Sequence, residues 1–536
     1  MDIRKKRCYM ILFSCVIIFS LLIFKIYLID FKDNDQILST YNSQNTSVEK
    51  TSDINFDIID FSGKQLLKYD FDYYVVVNPY IFLKNNSDTN MYDLRALTYT
   101  LKNYNSNYDL FNDDIINKSS KIYWKVDEQT YDKINKIKGV NGVYSYIYYK
   151  VNRSEASDIC NTLTNVKDNN GKDKASNSLE MQIYNKVLKN GYTEKYFQSD
   201  DNGNLTNVND KKLKSTTNVK LTIDQDMNDK VNEILDNDEF KNYKQIGAVV
   251  MESDTGKIRV LTQKDKYKGN INAGIQDGYL FPGSIFKIIV EEAGLQSKAI
   301  NTSEIFHDDG KYSESGEKGN YNLLQAFIVS SNEVFMKIGN KTGYDSIYKY
   351  ANEQGLFDKV LGLNYEQHGN LNMDPLSTGD LSLLSIGEKF RMTPLEALSL
   401  PNTVINNGIY VKPTIIEGYV DNNDNLISKQ ETTSKKILDT DTSNFIKGEM
   451  EQVVSNESGT GRLAYVANND VGGKTGTATR VENKDESHVD AWFVGFFKIK
   501  NKYYSTVILV PDIQNSQEAG TTAAPIFKKI VEELNK

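Results

Sequence analysis

Residues Cys8 to Phe24 form an unbroken run of 17 apolar or small residues near the start of a 536-residue chain. Lys25 interrupts the run and Ile26–Ile29 resume it. Counted through Ile29, 22 helical residues would reach about 33 Å, enough for a bilayer core. Arg4, Lys5, Lys6 and Arg7 precede the run, which predicts a cytoplasmic N-terminus and a remainder that folds outside. A cleaved signal peptide would need a small-x-small site after the run, and none follows. Leu12–Cys15 only faintly matches a lipoprotein cleavage site: Phe13 fits poorly and the apolar run continues past Cys15. The expectation is a single-pass protein of the cell membrane, with residues 1–29 as cytoplasmic tail and signal anchor. The polar segment 30–54, rich in Asn, Ser, Thr and Asp, reads as a stalk.

This topology restricts what the rest can use. Of Cys8, Cys15 and Cys160, only Cys160 lies beyond the bilayer, so no intrachain disulfide supports the fold. Hydrophobic residues at 39% and charged residues at 25% are globular values, and the length allows two to four domains. With 63 basic and 72 acidic residues the net charge is −9. That balance, with no long basic run, argues against a nucleic-acid partner. His307, His368 and His488 are scattered and no CxxC occurs, which argues against a zinc site.

Two folded parts follow. Residues 55–216 are dense in Tyr, Asn, Lys and Asp, with strand-like Tyr73–Val77 and Val143–Tyr149 and helix-like Ser178–Leu188. No catalytic constellation stands out there, and the reading is an α+β spacer. From 217 to 536 the texture changes. Helix-like Asp226–Leu235 precedes Ile246–Glu252 and Lys257–Thr262, which flank the turn Ser253-Asp254-Thr255-Gly256. Apolar helical segments fill the middle. Strand-like Val471–Ala478, Ala491–Phe497 and Tyr503–Val510 come last, before an amphipathic helix over Ala524–Leu534. This order predicts an α+β domain, one antiparallel sheet with helices on both faces.

The chemistry centres on Phe281-Pro282-Gly283-Ser284-Ile285-Phe286-Lys287. Pro-Gly signals a turn, and Ile285–Leu295 reads as a helix. Ser284 then lies at a helix N-terminus, where backbone N–H groups favour developing negative charge. Lys287, three residues on, shares its face. A desolvated lysine near another cation can be neutral enough to take a serine's proton. S-x-x-K alone says little, because Ser47/Lys50, Ser315/Lys318 and Ser346/Lys349 match it too and such matches are usually solvated faces. Only Ser284 has the preceding turn and an apolar helix behind it. A second motif, Ser330-Ser331-Asn332, breaks an apolar stretch between Leu323–Val329 and Val334–Ile338; a helix cap is the bland alternative. The other S-x-N, Ser43-Gln44-Asn45, falls in the stalk. The third motif is Gly472-Gly473-Lys474-Thr475-Gly476-Thr477-Ala478. Its glycines would let a peptide approach a strand edge, and its Lys and Thr would offer a cation and hydroxyls to a carboxylate. A nucleotide loop is excluded, because that pattern needs Gly where Asn468 stands. Lys341-Thr342-Gly343 reads as a helix-ending turn.

The ordered trio Ser284-x-x-Lys287, Ser330-x-Asn332 and Lys474-Thr475-Gly476 resembles the penicillin-binding proteins and serine β-lactamases. Phe281–Lys287, Gly473–Ala478, Asp490–Phe496 and Thr393–Ala397 read like penicillin-binding transpeptidases, over about Val219–Lys536. Ile58–Leu67 and Ser178–Leu188 resemble the pedestal, or dimerisation-like, domain of the class B, monofunctional kind. No acidic glycosyltransferase signature of the bifunctional class A kind is seen. Two departures stand out. Asn55-Phe56 and Asp60-Phe61-Ser62-Gly63 replace the family's Arg-Gly and Asp-Arg-x-Gly, and Gly387-Glu388-Lys389 replaces a frequent Gly-Gln-Gly.

The resemblance implies a D,D-transpeptidase that cross-links peptidoglycan stem peptides through an acyl-enzyme on Ser284 and is also acylated by β-lactams. Lys287 would be the base, Ser330 the proton relay and Asn332 the holder of Lys287 and the substrate amide. Lys474, Thr475, Gly476 and Thr477 would form the carboxylate site, with the N–H groups of Ser284 and Thr477 as oxyanion hole. No metal or organic cofactor is implied. Implied partners are stem peptides, β-lactams, the membrane, a membrane glycan polymerase and other cell-wall synthesis proteins. A D,D-carboxypeptidase or β-lactamase-type hydrolase would use the same trio, and a non-catalytic β-lactam sensor or scaffold would show an altered one.

Overall fold

The computed structural model describes residues 3–31, 46–200, 205–211, 216–275, 280–312, 318–371, 377–483 and 486–536. They fall into two compact units.

The first unit comprises Met1–Asn55, Tyr69–Lys150 and Gly191–Lys214. It begins with a 29-residue helix, Ile3–Phe31. Among the described residues no helix is long and apolar enough to cross a membrane. In Ile3–Phe31 the side chains described without a break are those of Tyr9–Lys25, 17 residues, all exposed. Two three-stranded sheets follow. In one, Tyr69–Val77 is central between Ile122–Val126 and Val143–Val151. Val75, Val77, Phe82, Leu101, Trp124 and Ile134 form its core, with Tyr108 stacked on Trp124 at 4.9 Å. The other has Glu194–Ser199 between Thr46–Lys50 and Leu205–Lys211. Thr46–Lys50, at the end of the expected stalk, is thus a paired strand. Its anchor is a buried carboxylate: Glu49 accepts from Tyr144 at 2.6 Å and from Lys121 at 3.0 Å. A polar strand held by a buried glutamate has no apolar alternation to announce it.

The second unit comprises Phe56–Lys68, Val151–Asn190 and Ser215–Lys536. Two segments from the N-terminal side of residue 217 therefore belong with the C-terminal part. Ile58–Ile59 runs parallel to Asn218–Leu221 in a four-stranded sheet. Leu179–Val187 is a helix capped by Ser178. The divergent turn at Asp60 is closed by its own carboxylate, which accepts from the backbone N–H groups of Ser62 and Lys64, each at 2.8 Å.

The main sheet is built from β1 (Gly247–Glu252), β2 (Lys257–Gln263), β3 (Gly472–Asn483), β4 (Glu486–Ile499) and β5 (Lys502–Ile513), in the order β2-β1-β5-β4-β3, all antiparallel. The helices that matter here are α1 (Lys287–Gln296), α2 (Leu323–Ile328), α3 (Asn332–Thr342), α4 (Thr440–Ser455) and α5 (Ala523–Leu534). Successive strand side chains face opposite ways, and β4 uses both faces. Phe493 and Phe497 pack on Phe527 of α5, at 4.7 and 6.0 Å between ring centroids. Trp492, on the other face, donates its indole N–H to the carbonyl of Phe281 at 3.0 Å. The expected antiparallel sheet with helices on both faces is the fold observed. Its last three strands extend beyond their apolar centres, because ladder pairing carries polar residues such as Thr479 and Arg480 with it.

Candidate active site

Ser284 lies in a short 3-10 turn, Gly283–Phe286, that runs into α1. The helix proper starts two residues later than the pattern predicts. Gly283 has φ +56°, and a β-carbon there would lie 2.5 Å from the carbonyl oxygen of Thr477. Gly476 is equally constrained: a β-carbon would meet the Pro282 carbonyl oxygen at 2.5 Å. These two glycines let the β3 backbone touch the turn that presents Ser284, and Trp492 ties that turn down from the sheet. Among the described residues Ser284 Oγ has no hydrogen-bond partner, as is common before substrate arrives.

Lys287 is fully buried. Its Nζ donates to the Ser330 carbonyl at 2.6 Å, to Asn332 Oδ1 at 2.8 Å and lies 3.1 Å from Ser330 Oγ. Lys474, also fully buried, donates to Ser330 Oγ at 2.8 Å and to the Thr475 carbonyl at 3.2 Å. The Ser330 hydroxyl is thus held between two lysines that come from opposite ends of the motif order. Burial holds Lys287 well below the usual lysine range, and the neighbouring Lys474 charge lowers it further against the opposing pull of Asp308. Burial alone brings Lys474 down to about 7.

Two adjacent ammonium groups in a dry site repel, so one gives up its proton first. Lys287 is the one driven lower. A neutral amine has two N–H groups, which suit the Ser330 carbonyl and Asn332 Oδ1, and one lone pair left for a hydroxyl proton. Charged Lys474 then donates to Ser330 Oγ. Behind Lys287 on α1, Glu291 is raised by burial beside Glu449 of α4, and Glu292 by burial to about 8.

The backbone at Ser330 explains the S-x-N motif. α2 ends at Ile328, and Ser331 caps α3 by accepting from the Val334 N–H at 3.1 Å. The capping role belongs to Ser331, while Ser330 takes φ +57° and turns toward the lysines. A left-handed non-glycine residue costs about 1–2 kcal/mol, and such strain collects at functional sites. Ser331 also donates to buried Asp308.

On β3, Thr475 Oγ1 donates to Thr460 Oγ1 at 2.7 Å, and Thr477 Oγ1 accepts from the Ala519 N–H at 3.1 Å. Sequence reading did not single out Thr460, Asp308 or Ser331; Thr460 stands between Gly459 and Gly461, a weak loop signal at best. Gly387 abuts the Gly283 carbonyl. Beside it Glu388 is half-buried and raised by burial to about 7, and Lys389 pairs with Asp380 at 3.0 Å.

The remaining matches lie elsewhere. Ser47 and Lys50 are on a strand of the first unit, and Ser346 and Lys349 on the helix Tyr344–Glu353, with Lys349 exposed. Ser315 and Ser43-Gln44-Asn45 lie outside the described residues. Gly343, at φ +82°, ends α3, and Lys341 pairs with Glu304 near the surface. Among the described residues no three His, Cys, Asp or Glu side chains gather as a metal site.

Residues 246–532 match the family described as penicillin binding protein transpeptidase domain. Stage V sporulation protein D of Bacillus subtilis is 27% identical over 352 residues, 60% of this chain and 54% of that protein. A peptidoglycan D,D-transpeptidase FtsI homolog of Mesostigma viride is 24% identical over 367 residues, 59% of this chain and 61% of that protein. The match thus spans little more than half of each relative. A crystal structure of a peptidoglycan synthetase from Bifidobacterium adolescentis superposes with a TM-score of 0.66 at 18% identity, covering 91% of this chain and 96% of that one. That likeness speaks to the fold.

Proposed function

Because this chain belongs to the penicillin-binding protein transpeptidase family, we propose that it is a membrane-anchored, class B serine D,D-transpeptidase that cross-links peptidoglycan stem peptides and is acylated by β-lactams. The observation that carries the reading is the Ser330 hydroxyl held between buried Lys474 and buried Lys287, which follows Ser284 by three residues.

Ser284 Oγ attacks the carbonyl of the penultimate D-Ala while Lys287 takes its proton. The N–H groups of Ser284 and Thr477 stabilise the oxyanion. Ser330 then passes a proton to the leaving nitrogen, the C–N bond breaks, and D-Ala departs from a Ser284 ester. An amine of a neighbouring stem attacks that ester, a new amide forms, and the proton returns to Ser284. A β-lactam follows the first half; its leaving nitrogen stays tethered, so the ester persists. Asn332 orients Lys287 and the substrate amide. Lys474, with the hydroxyls of Thr475 and Thr477, binds the terminal carboxylate.

Lys474 tests the carboxylate assignment. A charge-assisted hydrogen bond to a buried anion is worth about 1.5–3 kcal/mol, so Lys474→Ala should lower the second-order acylation rate constant by about 10- to 150-fold. Lys474→Arg should be milder, since it keeps the charge in a different geometry. Lys341→Ala should leave the rate almost unchanged. A damaging Lys341→Ala beside a harmless Lys474→Ala would overturn the assignment.

The apolar run Cys8–Ile29 is the anchor in this reading, which rests on the basic cluster Arg4–Arg7 before it. It is followed by a stalk and a pedestal, with the transpeptidase domain outside the cell and a membrane glycan polymerase as partner. Protease added to intact, wall-stripped cells should degrade residues 55–536. Protection of that region, or a mature N-terminus near residue 30, would contradict the topology.

A further inference from the structure

Within the second unit, a cavity of about 450 Å³ opens beside the catalytic turn. Its wall includes Phe281, three residues before Ser284, and Arg480, three residues after Thr477. We propose that this cavity is a donor subsite that binds a carboxylate of the stem peptide two residues upstream of the attacked D-Ala. The proposal rests on the transpeptidase reading and extends it to the part of the substrate beyond the reacting bond.

The direction of the bound peptide follows from β3. This strand is at the edge of the sheet, so an extended peptide can add to it through backbone hydrogen bonds. The terminal carboxylate is assigned to Lys474 and Thr475, and the attacked carbonyl to Thr477. Upstream residues therefore run toward Arg480, antiparallel to β3. Two residues of strand span about 7 Å, which brings the second residue upstream level with Thr479, next to Arg480 on the strand. Side chains at 474, 476, 478 and 480 share one face, so the Arg480 side of the cavity lies on the face that holds Lys474.

The charge of the cavity fits an anion. Three cations, Lys268, Arg391 and Arg480, line it against one acidic residue, Asp512, with buried Asp490 behind Arg480. The Arg480 guanidinium is held in place: its Nε donates to buried Asp490 at 2.8 Å, and its Nη2 donates to Asp512. Asp512 also lies 2.8 Å from His488 Nδ1, so its charge is shared between two partners. The Arg391 guanidinium lies over the Phe281 ring at 4.9 Å, and its side chain is exposed. The two arginines thus approach the same space from separate strands, one beside the nucleophile's turn and one on the substrate-binding strand. A planar carboxylate suits a guanidinium better than an ammonium.

The test compares two synthetic donors ending in D-Ala-D-Ala. One has a γ-linked D-Glu with a free α-carboxylate two residues upstream of the attacked D-Ala; in the other that carboxylate is an amide. D-Ala release by the full chain is measured for both, and fluorescent penicillin labelling is followed in parallel. The carboxylate donor should have a kcat/KM about 10-fold or more above the amide donor, carried by KM, as expected for one charged hydrogen bond. Arg391→Gln should bring the ratio toward one. Equal use of both donors by the native protein, or a ratio that survives both Arg391→Gln and Lys268→Gln, overturns the subsite while leaving the transpeptidase reading intact. Failure of the native protein to process either donor and to take up penicillin overturns that reading, and the subsite with it. Because the first comparison uses the native protein alone, a variant that fails to fold does not remove the decision.

Discussion

Protein treated with penicillin should carry one covalent adduct, on the peptide that contains Ser284, and Ser284→Ala should carry none. Removing the nucleophile of a serine acyl-transfer site costs about 10⁶-fold, so labelling should fall below detection. Ser284 combines conditions that the other serines in S-x-x-K settings do not. It opens the turn that the β3 backbone touches, and its partner lysine is fully buried and held well below its usual range. Lys349, the partner of Ser346, is exposed and therefore solvated. Lys50, the partner of Ser47, is lowered by partial burial against the opposing pull of Asp53, but its side chain is exposed over the Tyr192 ring and Ser47 lies on a strand, not at a helix-opening turn. Ser284→Ala should fold normally, because Ser284 Oγ has no hydrogen-bond partner among the described residues to lose. Mass spectrometry of the adduct peptide checks the assignment. An adduct on Ser47, Ser315 or Ser346, or full labelling of Ser284→Ala, would defeat it.

The three motifs were legible because each combines a local backbone signal with unusual polar residues. Pro282-Gly283 marks a turn, Ser330-Ser331-Asn332 breaks an apolar stretch, and the glycines of 472–476 remove side chains from a strand. Their convergence was legible only through resemblance. Lys287 and Ser330 are 43 residues apart, and Lys474 and Ser330 are 144 apart. No periodicity encodes such a contact. Within the second motif, the sequence could not assign the roles of the two serines. Either can cap a helix, and the choice falls on Ser331 because Asp308, 23 residues away, accepts from its hydroxyl. Once Ser331 is committed to the cap, Ser330 is left with the left-handed backbone and the lysines. The missed Thr460 is of the same kind, a hydroxyl brought to Thr475 by the loop after α4.

The fold was legible where burial is one-sided. The amphipathic last helix and the hairpin at Gly256, at φ +70°, are where the patterns put them. Thr46–Lys50 was not legible, because its inward residue is Glu49, whose partners Lys121, Tyr123 and Tyr144 come about 70–100 residues later. The grouping of Phe56–Lys68 and Val151–Asn190 with the C-terminal unit was hidden for a similar reason. For Phe56–Lys68 it depends on a two-residue parallel pairing, Ile58 with Val219 and Ile59 with Lys220, too short for a pattern; for Val151–Asn190 it depends on single long-range contacts, such as the Asn364 N–H donating to buried Glu180 at 3.1 Å.

Lys287→Ala should lower the acylation rate constant by about 10²–10⁴-fold, the usual contribution of a general base, without lowering the melting temperature. The two halves of this prediction share one cause. A fully buried lysine beside another cation is costly to hold in charged form, and that cost is what makes it a base near neutral pH. Alanine removes the base and the cost together. The neutral acceptors it leaves, the Ser330 carbonyl and Asn332 Oδ1, lose one donor each. Lys287→Arg should be as inactive as alanine, since a guanidinium stays protonated and cannot accept the Ser284 proton. Lys474→Arg, by contrast, should retain part of the activity. The pH profile separates the two lysines further. Acylation by the native protein should rise with pH as Lys287 sheds its proton. It should fall again above about 7, where free Lys474 loses the charge that attracts the substrate carboxylate. Lys474→Arg should therefore extend activity to higher pH on the alkaline side while leaving the acid limb. A folded Lys287→Ala that labels at the native rate would mean that another group takes the proton. A Lys474→Arg profile with its acid limb displaced and its alkaline limb unchanged would mean that the two lysines exchange roles.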